Sequence, residues 1–291
     1  MNERVRVTST PATSPWDLRK PGGLDALARK TWAVLRITVA TRFAYLGEIL
    51  IRSLFLVLIL FIFTQLWQAT NMSLDVGALT GFSIPQLIWY LAFTEALIIS
   101  ATPALSESDV DREVRSGDIA YRLARPLPYP LYHLGAMLGE RLLRFALNLG
   151  VGCLVALAVV GPIPFAASAL AAALSTAMFG FVVDWIWSFT ISLLAFWVED
   201  TTGIHLLYRR AQMLLGGMLI PLEAYPDWLS TIVQVLPFQY LVYHPARLFV
   251  HTSAAGWLNV LAIQALLALA GLIPLLVLYR LGLRRVSAQG G

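Results

Sequence analysis

Charge is scarce in this 291-residue chain: Asp, Glu, Lys and Arg make up 13% of it. A soluble domain carries about 25%. The deficit argues against a water-soluble enzyme and against a charge-rich disordered chain. Cysteine occurs once, as Cys153 in an apolar run. That leaves no intrachain disulfide and no cysteine metal site, and Cys153 reads as a small packing residue. The four histidines, His133, His205, His244 and His251, include no pair four residues apart, so no helix face carries two imidazole ligands. Lysine is confined to Lys20 and Lys30, and no Gly-Lys dipeptide occurs. A phosphate-cradling P-loop is therefore excluded, as are the H-E-x-x-H and G-x-S-x-G patterns, which do not occur. Catalysis by this chain, a cofactor or metal bound in it, and a nucleic-acid partner are not expected.

Apolar sequence is what the chain has instead: 58% hydrophobic residues and a mean hydropathy of +0.71. It reads as an all-α polytopic membrane protein. The N-terminal stretch 1–23 has no apolar core behind its basic residues. It reads as a flexible cytoplasmic tail, not a secretory signal. Crossing a bilayer takes about 20 apolar residues at about 1.5 Å each. Runs over about 45–67, 84–105, 138–160, 167–198 and 257–279 meet that length, and a shorter run, 204–220, carries Arg209 and Arg210 near its start. Six spans are expected, within a single transmembrane domain over 24–285 and with a short tail over 286–291. Seventeen of the 21 Lys and Arg residues then fall on the side that holds both termini, and only Arg247 lies in a loop on the other. Positive charge marks the cytoplasmic side. Arg52, Arg141 and Arg144 sit near the inner ends of their spans, where they can snorkel.

Three segments are unusual. In 24–43, Leu24, Leu27, Trp32, Leu35, Val39 and Phe43 recur at helical spacing, with Asp25, Arg29 and Arg36 on another face. This is an amphipathic helix, lying on lipid headgroups or else packed on the protein. The inner loop 106–133 alternates Glu107, Asp109, Asp111, Glu113 and Asp118 with Arg112, Arg115, Arg122 and Arg125. Ser106 or Ser108 would cap a short helix, Gly117 would turn it, and Pro126, Pro128 and Pro130 would brace its exit. The outer segment 221–256 is too apolar for a free loop and too broken by Pro221, Pro226, Pro237 and Pro245 for a span. It reads as a re-entrant or interfacial hairpin covered by protein.

Ionisable residues within spans are costly and informative. Glu48 with Arg52, and Glu140 with Arg144, are four apart and can pair on one helix face; Arg141 joins the second cluster. Glu95 and Asp184 stand mid-span with no basic residue one turn away. Each would line a translocation path or be hydrogen-bonded to a neighbouring helix. Phe179, Phe181, Trp185 and Trp187 flank Asp184; they would contact an amphipathic substrate, or pack against lipid and other helices.

The stretch GGMLIPLEAYPDWLSTIVQVLPFQYLVYHPARL, with Pro221, Pro226, Trp228, Leu236, Pro237, Phe238 and Pro245, and the stretch EVRSGDIAYRLARPLPYPLYHL, with Gly117, Ile119, Leu123 and Pro126, resemble the permease subunits of bacterial type-2 ATP-binding-cassette exporters. The resemblance covers the chain from about Leu24, and Asp184 maps to no motif of that family. It implies a dimer with an identical or paralogous permease in the inner membrane. It also implies two copies of a separate P-loop ATPase that bind ATP and Mg. A coupling helix within Asp109 to Pro126 would dock on them and drive export of a drug-like or lipid-like amphiphile. Two rivals stay open: a proton-coupled transporter using Asp184 or Glu95, and a non-transporting membrane scaffold. The first lacks the internal repeat common in that class.

Overall fold

The computed structural model describes residues 23–73, 75–101, 109–163, 166–198, 200–251 and 253–289. Among them all regular structure is helical. Backbone groups in an apolar setting have no water to bond, and a helix satisfies them within one segment. The N-terminal tail, the end of the 84–105 run, Ser106 and Ser108 lie outside the described residues, as do the side chains of Glu48 and Arg52.

The chain opens with α1 (Gly23–Phe43) and α2 (Leu46–Asn71). A short α3 (Val76–Thr80) follows, capped by Asp75, whose carboxylate accepts the Ala78 N–H at 3.1 Å. Gly81, at φ 72°, turns the chain into α4 (Ile84–Ala101). The inner polar loop carries α5 (Asp109–Ser116) and α6 (Asp118–Leu123), separated by Gly117 at φ 79°, a conformation that suits a residue without Cβ. Next come α7 (Tyr129–Val160) and α8 (Ala167–Ser192), the latter tightening into a 3-10 turn over Leu193–Phe196. The C-terminal third holds α9 (Thr202–Leu215), α10 (Asp227–Val235), α11 (Tyr243–Val250) and α12 (Ala254–Gln289).

Five helical stretches are long and apolar enough to cross a membrane: Ile49–Asn71, Ile84–Ala101, Tyr129–Val160, Ala167–Phe196 and Ala254–Arg285. The run 204–220 is not among them. Its helix, α9, has 14 residues, about 21 Å, and stops at Gly216. The apolar residues beyond belong to a turn.

Burial separates the helices. α4 is the centre: Leu87 through Leu97 are all buried, and the rings of Phe93, Phe145 and Phe249 meet there at 5.0–5.6 Å. By contrast α2 leaves Ile51, Leu54, Phe55, Leu58, Phe61 and Leu66 at least half exposed, an apolar face suited to lipid tails. α1 lies along the start of α7, where Gly135 and Gly139 let the two backbones approach. A Cβ on Gly135 would stand 2.7 Å from the Thr31 carbonyl oxygen, and one on Gly139 2.6 Å from that of Leu35. So Leu35 and Val39 turn to the protein while Leu24, Trp32, Ile37 and Phe43 stay exposed beside Arg29 and Arg36. The apolar set read as one face is thus divided between α7 and the surroundings.

Candidate functional site

Two polar assemblies stand out in this apolar bundle, one in the knob formed by α5 and α6 and one at the contact of α7, α8 and α9.

The knob is held by two carboxylates that point inward. Asp111 is fully buried and accepts both the backbone N–H of Thr201, at 3.1 Å, and its hydroxyl, at 2.7 and 2.8 Å. Thr201 precedes α9, so a negative charge sits at the N-terminus of that helix, where the backbone dipole favours it. Glu113 reaches the other way. It accepts the Tyr129 hydroxyl at 2.7 Å, pairs with Arg122 at 3.1 Å and lies 3.5 Å from His133. Tyr129 and His133 open α7. Burial alone would raise the Glu113 carboxyl. The neighbouring His133 imidazole, the Tyr129 hydrogen bond and the Arg122 charge outweigh it and hold the group below its ordinary 4.5. Val110 and Ile119 bury their side chains in the cluster that contains Leu193 and Phe196, so apolar packing backs both carboxylates. Lys30 of α1 donates to the Pro126 carbonyl at 3.1 Å and ties the knob's exit to α1.

Asp111 and Glu113 therefore face the transmembrane helices. The exposed side of the knob carries Arg112, Arg115, Gly117, Asp118, Arg125 and Pro126, with Tyr121 70% exposed. The side chain of Asp109 lies outside the described residues. Arg125 rests over the Tyr121 ring at 5.2 Å, so this face joins positive charge to an aromatic surface.

The second assembly surrounds Asp184. Its carboxylate is 2% exposed. Arg209 reaches it at 2.9 and 3.1 Å, Tyr208 donates at 2.8 Å, Gln212 donates at 3.2 Å, and Arg141 forms an ion pair at 2.5 Å. Arg209 also reaches Gln212 and Ser188. One carboxylate of α8 thus holds an arginine of α7 and an arginine, a tyrosine and a glutamine of α9. Arg141 is buried here and does not snorkel. Glu140 instead pairs with Arg144, as its i, i+4 spacing predicts, and with Arg42 of α1 at 2.9 Å. Beside Asp184 the free space is about 10 Å³, room for about one water. Phe181 and Trp185 are buried, Phe181 edge-on to Phe145 and Trp185 stacked 5.0 Å from Phe189. Phe179 and Trp187 are half-buried. Phe181 and Trp185 therefore pack against protein beside Asp184. Glu95 is fully buried too, and neither of its oxygens has a hydrogen-bond partner among the described residues.

The outer segment answers a different need. Its prolines start or flank short turns: Pro221 before the 3-10 turn Leu222–Ala224, Pro226 before α10, and Pro237 at the head of the 3-10 turn Pro237–Tyr240. Each break frees backbone carbonyls, and a buried unpaired carbonyl is costly. Side chains collect them. Tyr90 donates to Gly217, Thr94 to Met218 at 2.9 Å, Tyr225 to Leu214 at 2.6 Å, and Gln264 to Tyr240 at 2.8 Å. Phe238 meets the Tyr208 ring at 5.8 Å, next to the Asp184 assembly, whereas Trp228 is 67% exposed.

No curated protein is similar enough to the chain to count as a match. A family model described as ABC-2 family transporter protein matches residues 54–290, which takes in the knob, the Asp184 assembly and the proline-broken segment. The chain belongs to that family: it is a multi-pass permease subunit of an ABC transporter, a class whose ATP-binding subunit is a separate partner.

Proposed function

We propose that this chain is the permease of an exporter in a bacterial inner membrane, with both termini cytoplasmic, and that the knob is where the ATPase subunits dock. ATP and Mg would be held by two such ATPases. The observation that carries the reading is the division of the knob into two faces. Its buried carboxylates, Asp111 and Glu113, grip the starts of α9 and α7, while Arg112, Arg115 and Arg125 stand on the exposed side. A partner that moves the exposed face would move both helices together. Charge on such a face sets register and partner choice more than affinity.

In this reading α9 and the proline-broken segment form a fifth span and a re-entrant hairpin, so six crossings place both termini on the basic side. The collected carbonyls support a hairpin at membrane depth, because irregular backbone survives there only when protein covers it. The small space beside Asp184 favours a path between two permeases over a path through one. The substrate would be an amphipathic, drug-like or lipid-like molecule, and the second permease identical or paralogous.

The test is purification of the tagged chain in mild detergent from its host, with copurifying proteins and ATP hydrolysis measured. A stoichiometric P-loop ATPase is expected. It should be lost in Arg112→Glu/Arg115→Glu while the permease stays folded. A chain that purifies folded and alone would overturn the reading and return a proton-coupled transporter or a scaffold to first place.

A further inference from the structure

The junction of α11 and α12 encloses a groove of about 340 Å³. Its floor is apolar, from Leu248 and Val260, which are 5% and 3% exposed. Its polar lining is Arg247, His244, His251, Ser253 and Asn259. No acidic residue is among the described residues that line it. Glu223 approaches Arg247 at Nε, 3.6 Å away, and the Arg247 side chain is about half exposed. Glu223 is itself engaged by the Tyr243 hydroxyl. The Arg247 guanidinium lies over the Tyr243 ring, 5.8 Å from its centroid. Asn259 lies on the exposed side of α12, five residues into a stretch able to span a membrane. An amide there is costly against hydrocarbon and useful against a polar headgroup.

We propose that this groove binds the anionic phosphate headgroup of an amphiphile. The Arg247 fork would take two phosphate oxygens, with Asn259 and the histidines donating beside it. The first part of the apolar tail would lie on Leu248 and Val260. A planar guanidinium matches phosphate geometry and is only weakly hydrated, so it suits a site at the edge of a bilayer. The proposal rests on the topology above only for the side of the membrane it assigns, which is the outer one. Binding itself needs neither transport nor an ATPase, so its failure and the failure of the exporter reading are separate results.

The experiment uses the full-length chain in nanodiscs of phosphatidylcholine, with short-chain phosphatidylglycerol added and retained lipid counted by native mass spectrometry. Phosphatidylglycerol is expected to be retained preferentially, and Arg247→Gln to weaken its retention about tenfold, the worth of a charge-assisted bond. Inorganic phosphate is titrated as a second arm. If it displaces the lipid, the phosphate alone is recognised. If it does not, the apolar floor is part of the site and the ligand is a lipid. Equal retention of the two lipids, or unchanged retention in Arg247→Gln, overturns the proposal. Should Arg247→Gln fail to fold, His251→Leu/Asn259→Leu, at two exposed positions, carries the same test: weaker retention supports the site and unchanged retention overturns it.

Discussion

The contact of α7, α8 and α9 around Asp184 and the interior of α4 around Glu95 are two different ways to keep a carboxyl in an apolar bundle. At the first, four side chains from two other helices converge on the carboxylate. At the second, both oxygens are buried and no hydrogen-bond partner meets them among the described residues. A buried carboxylate is tolerable when countercharge and donors surround it, and those donors must then stay where they are. Asp184 consequently fixes how three helices sit together. Glu95 fixes nothing of that kind, and α4 is held by its rings and aliphatic side chains. The difference separates polar residues that join elements from a polar residue that is merely enclosed.

Removing a joint should cost most. Asp184→Asn leaves Arg141 and Arg209 without their countercharge, and a loss of about 3–5 kcal/mol is expected. It would be read as a collapse of folded yield in mild detergent. A variant that replaces Asp184 with Leu and both arginines with Met should recover much of that yield, because no buried charge is then left over. An Asp184→Asn protein with undiminished yield would erase the contrast with Glu95.

Asp111→Ala comes next. It strands the Thr201 N–H and hydroxyl, worth about 1–3 kcal/mol. Faster hydrogen exchange at the first turn of α9 is expected, with α12 unaffected.

Glu113 gives a smaller, pH-dependent effect. Its carboxyl is held below its ordinary 4.5 in the folded protein. Its contribution to stability is therefore complete above that value and is lost as pH falls through the lower, folded one. Thermal midpoints of the wild type should drop over that acidic range more steeply than those of Glu113→Gln. Parallel curves would remove Glu113 from the list of joints.

The smallest effect is expected at Glu95. Glu95→Met keeps an unbranched shape and removes an unpartnered polar group, so stability should hold or rise by about 1 kcal/mol. A folded yield as low as that of Asp184→Asn would mean that a second chain supplies the missing partner.

Some of these joints can be read in the sequence and some cannot, for a geometric reason. The Glu140–Arg144 pair is legible because its residues share one helix face four positions apart. The Asp184 pairs join residues 43 and 25 positions apart along α7–α8 and α8–α9, and nothing local encodes them. Asp111 and Glu113, two residues apart on one helix, would not be expected to be buried together. Both are, because α5 is wedged between the starts of α7 and α9. The long apolar runs announce their helices by length alone. The end of α9 does not, because Met218, Leu219 and Ile220 are as apolar as the helix they follow. What stops the helix is Gly217 at φ 71°, with Tyr90 and Thr94 taking the released carbonyls.

The central place of α4 also bears on how the protein is made. Among the five spanning stretches it has the lowest mean hydropathy, 1.4, and the largest buried share, 72%. A helix enters the bilayer on the strength of its own residues, yet the carbonyl that accepts the Tyr90 hydroxyl lies at Gly217, more than a hundred residues further along the chain. During synthesis α4 must therefore wait among lipids with the Tyr90 hydroxyl and Glu95 uncovered, held by a modest apolar signal, until the second half of the protein arrives. The second spanning helix to be made is among the last to be finished. An insertion chaperone would have most to do at that stage.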